Sequence, residues 1–183
     1  LGQTEIPAPP LHFVGEAQDR FRLIKNLPHY RQERRGELIH TILEKVDFLE
    51  ENIEEQLEKI ISDQTFRKYQ PEEKEEAIKS LLEFLKRPEV AEFFRQRPGR
   101  KVKTEAEMVN KSGELYRTDR LLLDPDVISI IDFKTGQFSG ETVKKSHAQQ
   151  VKNYKAMLEE IYPNRKVSGW LLYIDSGELE EVL

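Results

Sequence analysis

The sequence predicts an α/β fold: a mixed β-sheet core flanked by helices, with an N-terminal helical portion before it. Three observations predict it. Between Arg34 and Leu85 apolar residues recur at helical spacing, from Leu38, Ile42, Leu43 and Val46 onward. From Lys101 the signal changes to short strands, including Leu121-Leu122-Leu123 and Val127 to Ile131 on either side of Asp124-Pro125-Asp126. A second helical stretch, Lys144 to about Ile161, then stands before a further strand.

In chain order, residues 1–30 read as a linker, because Ile6-Pro-Ala-Pro-Pro10 favours extended backbone. Residues 31–183 form the domain, divided into a helical portion, 31–95, and a sheet core, 96–183. Arg34 to about Phe48 is the first helix, with His40 at the flank of its apolar stripe. Asn52 to Ile61 is the second. Pro71 opens the third, where proline suits a first turn and Glu72, Glu73, Glu75 and Glu76 complement the helix dipole. Pro88 starts a short fourth that contains Val90, Phe93 and Phe94. Lys101 to Val109 is the first strand, with Glu105 and Glu107 facing one way, and Lys111-Ser-Gly113 turns it into Glu114 to Leu123. Gly136 to Gly140 is a loop. Lys166 to Ile174 and Glu178 to Leu183 are the last strands, joined across Asp175-Ser-Gly177.

Composition narrows the function. The net charge is −5 and the pI about 5.6, so bulk electrostatics does not draw this chain to nucleic acid. The distribution is uneven. Glu44 to Glu83 carries 13 acidic and 6 basic side chains, whereas Lys86 to Lys103 carries 7 basic and 2 acidic. The basic connector Arg95-Gln-Arg-Pro-Gly-Arg-Lys-Val-Lys103 therefore supplies candidate phosphate contacts: Arg95, Arg97, Arg100, Lys101 and Lys103. Without cysteine there is no disulfide, thiolate zinc site or iron–sulfur cluster. No run of about 18 apolar residues reads as a membrane span. The chain begins at Leu1 without methionine and reads as a piece of something longer.

The chemistry gathers at Tyr116 to Gly136. Strand alternation puts Asp132 and Lys134 on one face, and antiparallel pairing across the Asp124–Asp126 turn brings Asp119 beside Asp132. Two carboxylates at the end of an apolar sheet repel and lose hydration, so a cation between them is favoured. Magnesium, which takes one or two carboxylates plus water and phosphate, is the economical answer, and a lysine beside it orients or deprotonates a water. A lone D-x-K is equally an ordinary surface pair, and the other motifs decide.

Gly36-x-x-x-His40, Arg117-Thr-Asp119-Arg120, Ile131-Asp132-Phe133-Lys134-Thr135-Gly136 and Gln150-x-x-x-Tyr154, in that order, resemble the RecB-like nuclease family of the PD-(D/E)XK superfamily. The likeness is strongest to the C-terminal nuclease domain of RecB- and AddA-type helicase-nucleases. It implies a restriction-endonuclease-like fold and a Mg2+- or Mn2+-dependent deoxyribonuclease, of exonuclease type, that processes DNA ends in recombinational repair. It also implies that His40, Asp119, Asp132 and the Phe133 main-chain carbonyl ligate metal, and that Lys134 serves the chemistry. Gln150 and Tyr154 would support the site and the strand. A glutamate also joins such sites; Glu105 and Glu107 both fit, with Glu105 preferred. The implied partners are DNA and a helicase motor on the same polypeptide or another subunit, in a bacterial cytoplasm. The motor is not in this chain, which lacks the G-x-x-x-x-G-K-[ST] phosphate loop and hence an ATP site, and the iron–sulfur cluster of AddB-type relatives is excluded. The alternative is a non-catalytic DNA-binding or scaffolding module that keeps the fold; the intact His40, Asp119, Asp132 and Lys134 argue against it. A histidine-carboxylate hydrolase acting on a small substrate lacks an evident specificity pocket.

Overall fold

The computed structural model of the chain describes residues 28–110, 112–136 and 140–183. The linker expected over residues 1–30 thus lies almost wholly outside the described residues, as do Lys111 and residues 137–139 of two expected loops. The chain divides into two compact units, Leu1–Arg34 and Arg35–Leu183. Helix α1, Pro28–Glu44, begins in the first and continues into the second. Within the first unit, His29 and Glu33 pair one helical turn apart.

Beyond α1 the helical portion comprises α2 (Ile53–Ile61), a 3-10 turn at Gln64–Phe66, α3 (Pro71–Leu85), α4 (Pro88–Ala91) and a 3-10 turn at Glu92–Phe94. Local chemistry sets the boundaries. The Asn52 side chain caps α2 by accepting from the Glu55 N–H, and Asp63 does the same for Thr65. Pro71 opens α3, where the Glu73 carboxylate reaches back to the Gln70 N–H. The first helix starts earlier than its apolar stripe indicates and ends at Glu44 rather than near Phe48, because the chain then turns so that Val46 can join the core.

The sheet holds β1 (Lys101–Val109), β2 (Leu115–Leu123), β3 (Val127–Lys134), β4 (Lys166–Tyr173) and β5 (Glu178–Glu181) in the order β1-β2-β3-β4-β5. All neighbours are antiparallel except β3 and β4, which run parallel. Parallel neighbours need a crossover, and α5, Glu141–Ile161, supplies it. This mixed five-stranded sheet flanked by helices is the α/β architecture expected.

Alternation along β3 assigns the two faces. Ile131 and Phe133 join the helical portion, with Leu38, Ile42, Phe84 and Phe94, in the larger core. Ile128 and Ile130 instead pack with Tyr154 and Leu158 of α5. At Gly169 of β4 a Cβ would stand 2.4 Å from Val151 of α5, so only glycine permits this helix to lie so close to the sheet.

The β1–β2 hairpin changes face midway. Val102 packs toward the helical portion, yet Ala106 and Met108, at the same strand parity, pack with α5. Glu105 lies between them with φ 48°, the one positive φ outside glycine among the described residues. Its left-handed backbone re-aims the strand, as a bulge does. Glu105 is half-buried and Glu107 exposed, so the two glutamates do not share one environment as regular alternation predicts.

Candidate active site

Register places the site. The β2–β3 ladder ends at Arg120 opposite Ile131, so Asp119 and Asp132 come next, at the end of the sheet that Lys134 closes. Asp119 Oδ2 accepts from the Phe133 N–H at 2.7 Å. His40 reaches in from α1, its Nδ1 3.4 Å from Asp119 Oδ1 and its ring edge-on to Phe133. Gly36 explains this approach. It lies one turn before His40 and faces Thr135, where a Cβ would come within 2.7 Å of Oγ1. A larger residue would hold the helix, and His40 with it, off the loop that follows Lys134. That loop is fixed by Asp175, which accepts from the Gly136 N–H at 2.5 Å and from Arg35 at 2.6 Å.

Lys134 Nζ lies 2.5 Å from Asp132 Oδ2 and donates to Gln150 Oε1 at 3.2 Å. Gln150 Nε2 in turn donates to the Tyr154 hydroxyl at 2.8 Å, and that hydroxyl to the Arg117 carbonyl at 2.7 Å. This chain of polar groups joins α5 to β2 beside Asp119. The structure therefore brings His40, Asp119, Asp132, Lys134, Gln150 and Tyr154 into one place.

Electrostatics there is strained. Asp132 is only 2% exposed, and burial, followed by the charge of Asp119, pushes its pKa up to about 6 although Lys134 pulls it down. Burial lowers the His40 pKa, but the Asp119 hydrogen bond and the charges of Asp119 and Asp132 outweigh it, leaving His40 raised above 6.5. Glu105 stands opposite Asp119 across β1–β2. Burial and then the repulsion of Asp119 and Glu44 raise its carboxyl, while Arg117, 2.7 Å away, opposes them.

Among the described residues no group of three or more His, Cys, Asp or Glu side chains stands ready-made around a metal position. The donor chemistry nevertheless fits a hard divalent cation. Asp132 Oδ2 is buried and, despite the nearby ammonium, has no hydrogen bond of sound geometry. A buried carboxylate oxygen balanced by a single ammonium, beside a second carboxylate, suits an ion that needs one or two such ligands and fills its shell with water.

The basic connector has a different setting. The Arg100 side chain is only 4% exposed, held by both oxygens of Asp124 at 2.6 and 2.7 Å and by the carbonyls of Glu92 and Arg95. Arg95 and Arg97 both pair with Glu92. Lys101 and Lys103 are exposed. The block lies at the Leu123 end of β2, away from Asp119.

Two residues near the site escaped the sequence reading. His147 precedes Gln150 by one helical turn, its Nδ1 3.5 Å from the Tyr173 hydroxyl, and burial and then Lys134 lower its pKa. The 147, 150, 154 spacing was the available signal. Arg117 stands in the sequence only as part of the Arg117-Thr-Asp119-Arg120 motif.

The chain also matches a family model. No curated protein matches it. The match runs over residues 9–182, nearly the whole chain, and takes in all four motifs whose side chains converge at the end of β2 and β3. The chain belongs to the PD-(D/E)XK nuclease superfamily.

Proposed function

We propose that this chain is a Mg2+- or Mn2+-dependent deoxyribonuclease of exonuclease type. It is the nuclease domain of a RecB- or AddA-type helicase-nuclease, acting in DNA end processing and recombinational repair. The observation that carries the chemistry is the placement of Asp119 and Asp132 just past the last β2–β3 rung at a sheet end, with Lys134 held by Asp132 and Gln150. His40, Asp119, Asp132, the Phe133 carbonyl and Glu105 are the residues that would hold the cation. When bound, such an ion supplies charge that polarises a phosphate and lowers the pKa of a water.

The rest falls to the chain's own groups. Lys134, fixed by Asp132 and Gln150, orients the attacking water at the phosphate and steadies the negative charge that develops there. Tyr154 holds Gln150 and thereby the lysine. The Asp119 bond to Phe133 keeps the two strands in register at this end. Lys101 and Lys103 contact backbone phosphates without reading bases. The motor belongs to the same longer polypeptide or to a partner subunit and delivers the strand. No helix among the described residues is long and apolar enough to cross a membrane.

Incubating the purified chain with linear single- and double-stranded DNA and Mg2+ or Mn2+ tests this reading, with chelator as control. Cleavage that chelator abolishes is expected. Metal-independent cleavage, or binding without any cleavage, would overturn it, the latter in favour of a non-catalytic DNA-binding module.

A further inference from the structure

Glu105 is held in place in two unusual ways. Its backbone adopts φ 48°, which an L side chain accepts only at a cost in free energy, and such strain gathers at functional positions. Thr104 pairs with Arg120 and Ala106 with Thr118, so Glu105 is set opposite Asp119. Its side chain is only a quarter exposed and shares this corner with Asp119, Glu44 and His40. The cation that meets it is Arg117, whose Nε lies 2.7 Å from Glu105 Oε2. Arg117 is anchored and loose at once: its carbonyl is bound by Tyr154, yet its side chain is 64% exposed. The guanidinium can leave without moving the strand.

We infer that Glu105 and Arg117 form a latch worked by two ligands of opposite charge: a divalent cation takes the Glu105 carboxylate from Arg117, and the freed guanidinium takes a phosphate of the DNA strand. The inference rests on the nuclease reading and adds to it a coupling. A cation on Glu105 draws off the negative charge that holds Arg117, and a phosphate competes with Glu105 for the same guanidinium. Metal and DNA therefore each loosen the pair that obstructs the other, and by linkage the help is mutual. Arginine suits this exchange, because its planar fork matches carboxylate and phosphate alike. Before either ligand arrives, the pair keeps a half-buried carboxylate from adding to the repulsion around Asp119.

A cycle of four proteins tests it: wild type, Glu105→Gln, Arg117→Ala and the double variant, each checked for fold by thermal melting. In chelator, Glu105→Gln should bind a labelled single-stranded oligonucleotide about three- to tenfold more tightly than wild type, because Arg117 is released. The gain should vanish in the double variant. Without DNA, Arg117→Ala should bind Mn2+ more tightly by a similar factor in calorimetry, and Glu105→Gln should erase that gain. Simple removal of charge would produce gains that persist in the double variant, and additive results of that kind overturn the latch. Single variants that match wild type overturn it too. If the wild type takes up Mn2+ and cuts DNA while the cycle is additive, the latch alone falls. A wild type that neither takes up Mn2+ nor cuts DNA overturns both readings.

Discussion

Asp119 accepts a hydrogen bond from the Phe133 main chain at 2.7 Å, so a carboxylate takes the place of the next ladder bond between β2 and β3. The side chain proposed as a ligand also fastens the strand that carries Asp132 and Lys134. Asp119→Ala should therefore abolish cleavage and cost about 1–3 kcal/mol of stability, since it leaves a buried N–H unpaired. Asp119→Asn keeps an acceptor and should abolish cleavage at much smaller cost. Urea unfolding beside a cleavage assay separates the two; equal destabilisation would show that the bond to Phe133 contributes nothing.

Lys134→Ala should lower cleavage by about 10²–10⁴-fold, the range for loss of a positioned proton-transfer group. Binding of Mn2+ should survive, because the lysine is not a ligand and removing it relieves repulsion. Calorimetric titration checks this; metal lost as completely as in Asp132→Ala would contradict the role given to Lys134.

Asp132 titrates near 6 in the folded chain, above an unfolded aspartate. Folding therefore favours its protonated form, and the stability this provides is fully present below the unfolded value and lost as pH rises through about 6. Asp132→Asn removes the ionisation. It should stabilise the fold by about 1–2 kcal/mol at pH 8 and by little at pH 4.5, while abolishing cleavage. Denaturant unfolding at the two pH values is the measurement.

His40 carries a raised pKa, and imidazolium does not bind metal. Mn2+ affinity should weaken as pH falls through the raised value, which lies above 6.5. His40→Ala should need more metal and lose that part of the pH dependence, leaving the part due to Asp132. Coincident metal titrations for mutant and wild type would remove His40 from the ligand set.

Arg100 and its neighbours should behave oppositely. Arg100→Ala leaves Asp124 without its buried partner and should cost about 2–4 kcal/mol. Charge reversal at the exposed Lys101 and Lys103 should leave stability within about 0.5 kcal/mol and weaken DNA binding. Melting temperatures and gel shifts across a salt series distinguish these outcomes.

Much of this was legible because local chemistry and global placement agree. Asp124-Pro125-Asp126 closes a hairpin whatever surrounds it, and strand alternation then aligns Asp132 with Lys134 and brings Asp119 alongside. Helical spacing likewise puts Gln150 under Tyr154. What stayed hidden depends on partners remote in sequence. Whether Arg100 meets a phosphate or Asp124 is decided 24 residues away. The left-handed Glu105 sits in a segment that reads as regular strand, and its conformation answers to the bend of the hairpin rather than to its neighbours. Gly36 enters the sequence as part of a motif with His40, and its physical reason, the approach to Thr135, shows only in the fold.

Arg120 follows Asp119 on β2 but points away from the site and is fully buried. Its guanidinium donates to the carbonyls of Val46, Asp47 and Phe93 and lies 4.2 Å from the Phe94 ring centroid. Burial brings its pKa down to about 10, so it remains a cation at neutral pH, solvated by main chain where water would otherwise be. Peeling the helical portion off the sheet would strip all three of those donor bonds at once and open the apolar core around Phe94 to water. The two portions should consequently open together: amides around Val46 and along the middle of β2 should show one common opening free energy in deuterium exchange, that of whole-domain unfolding.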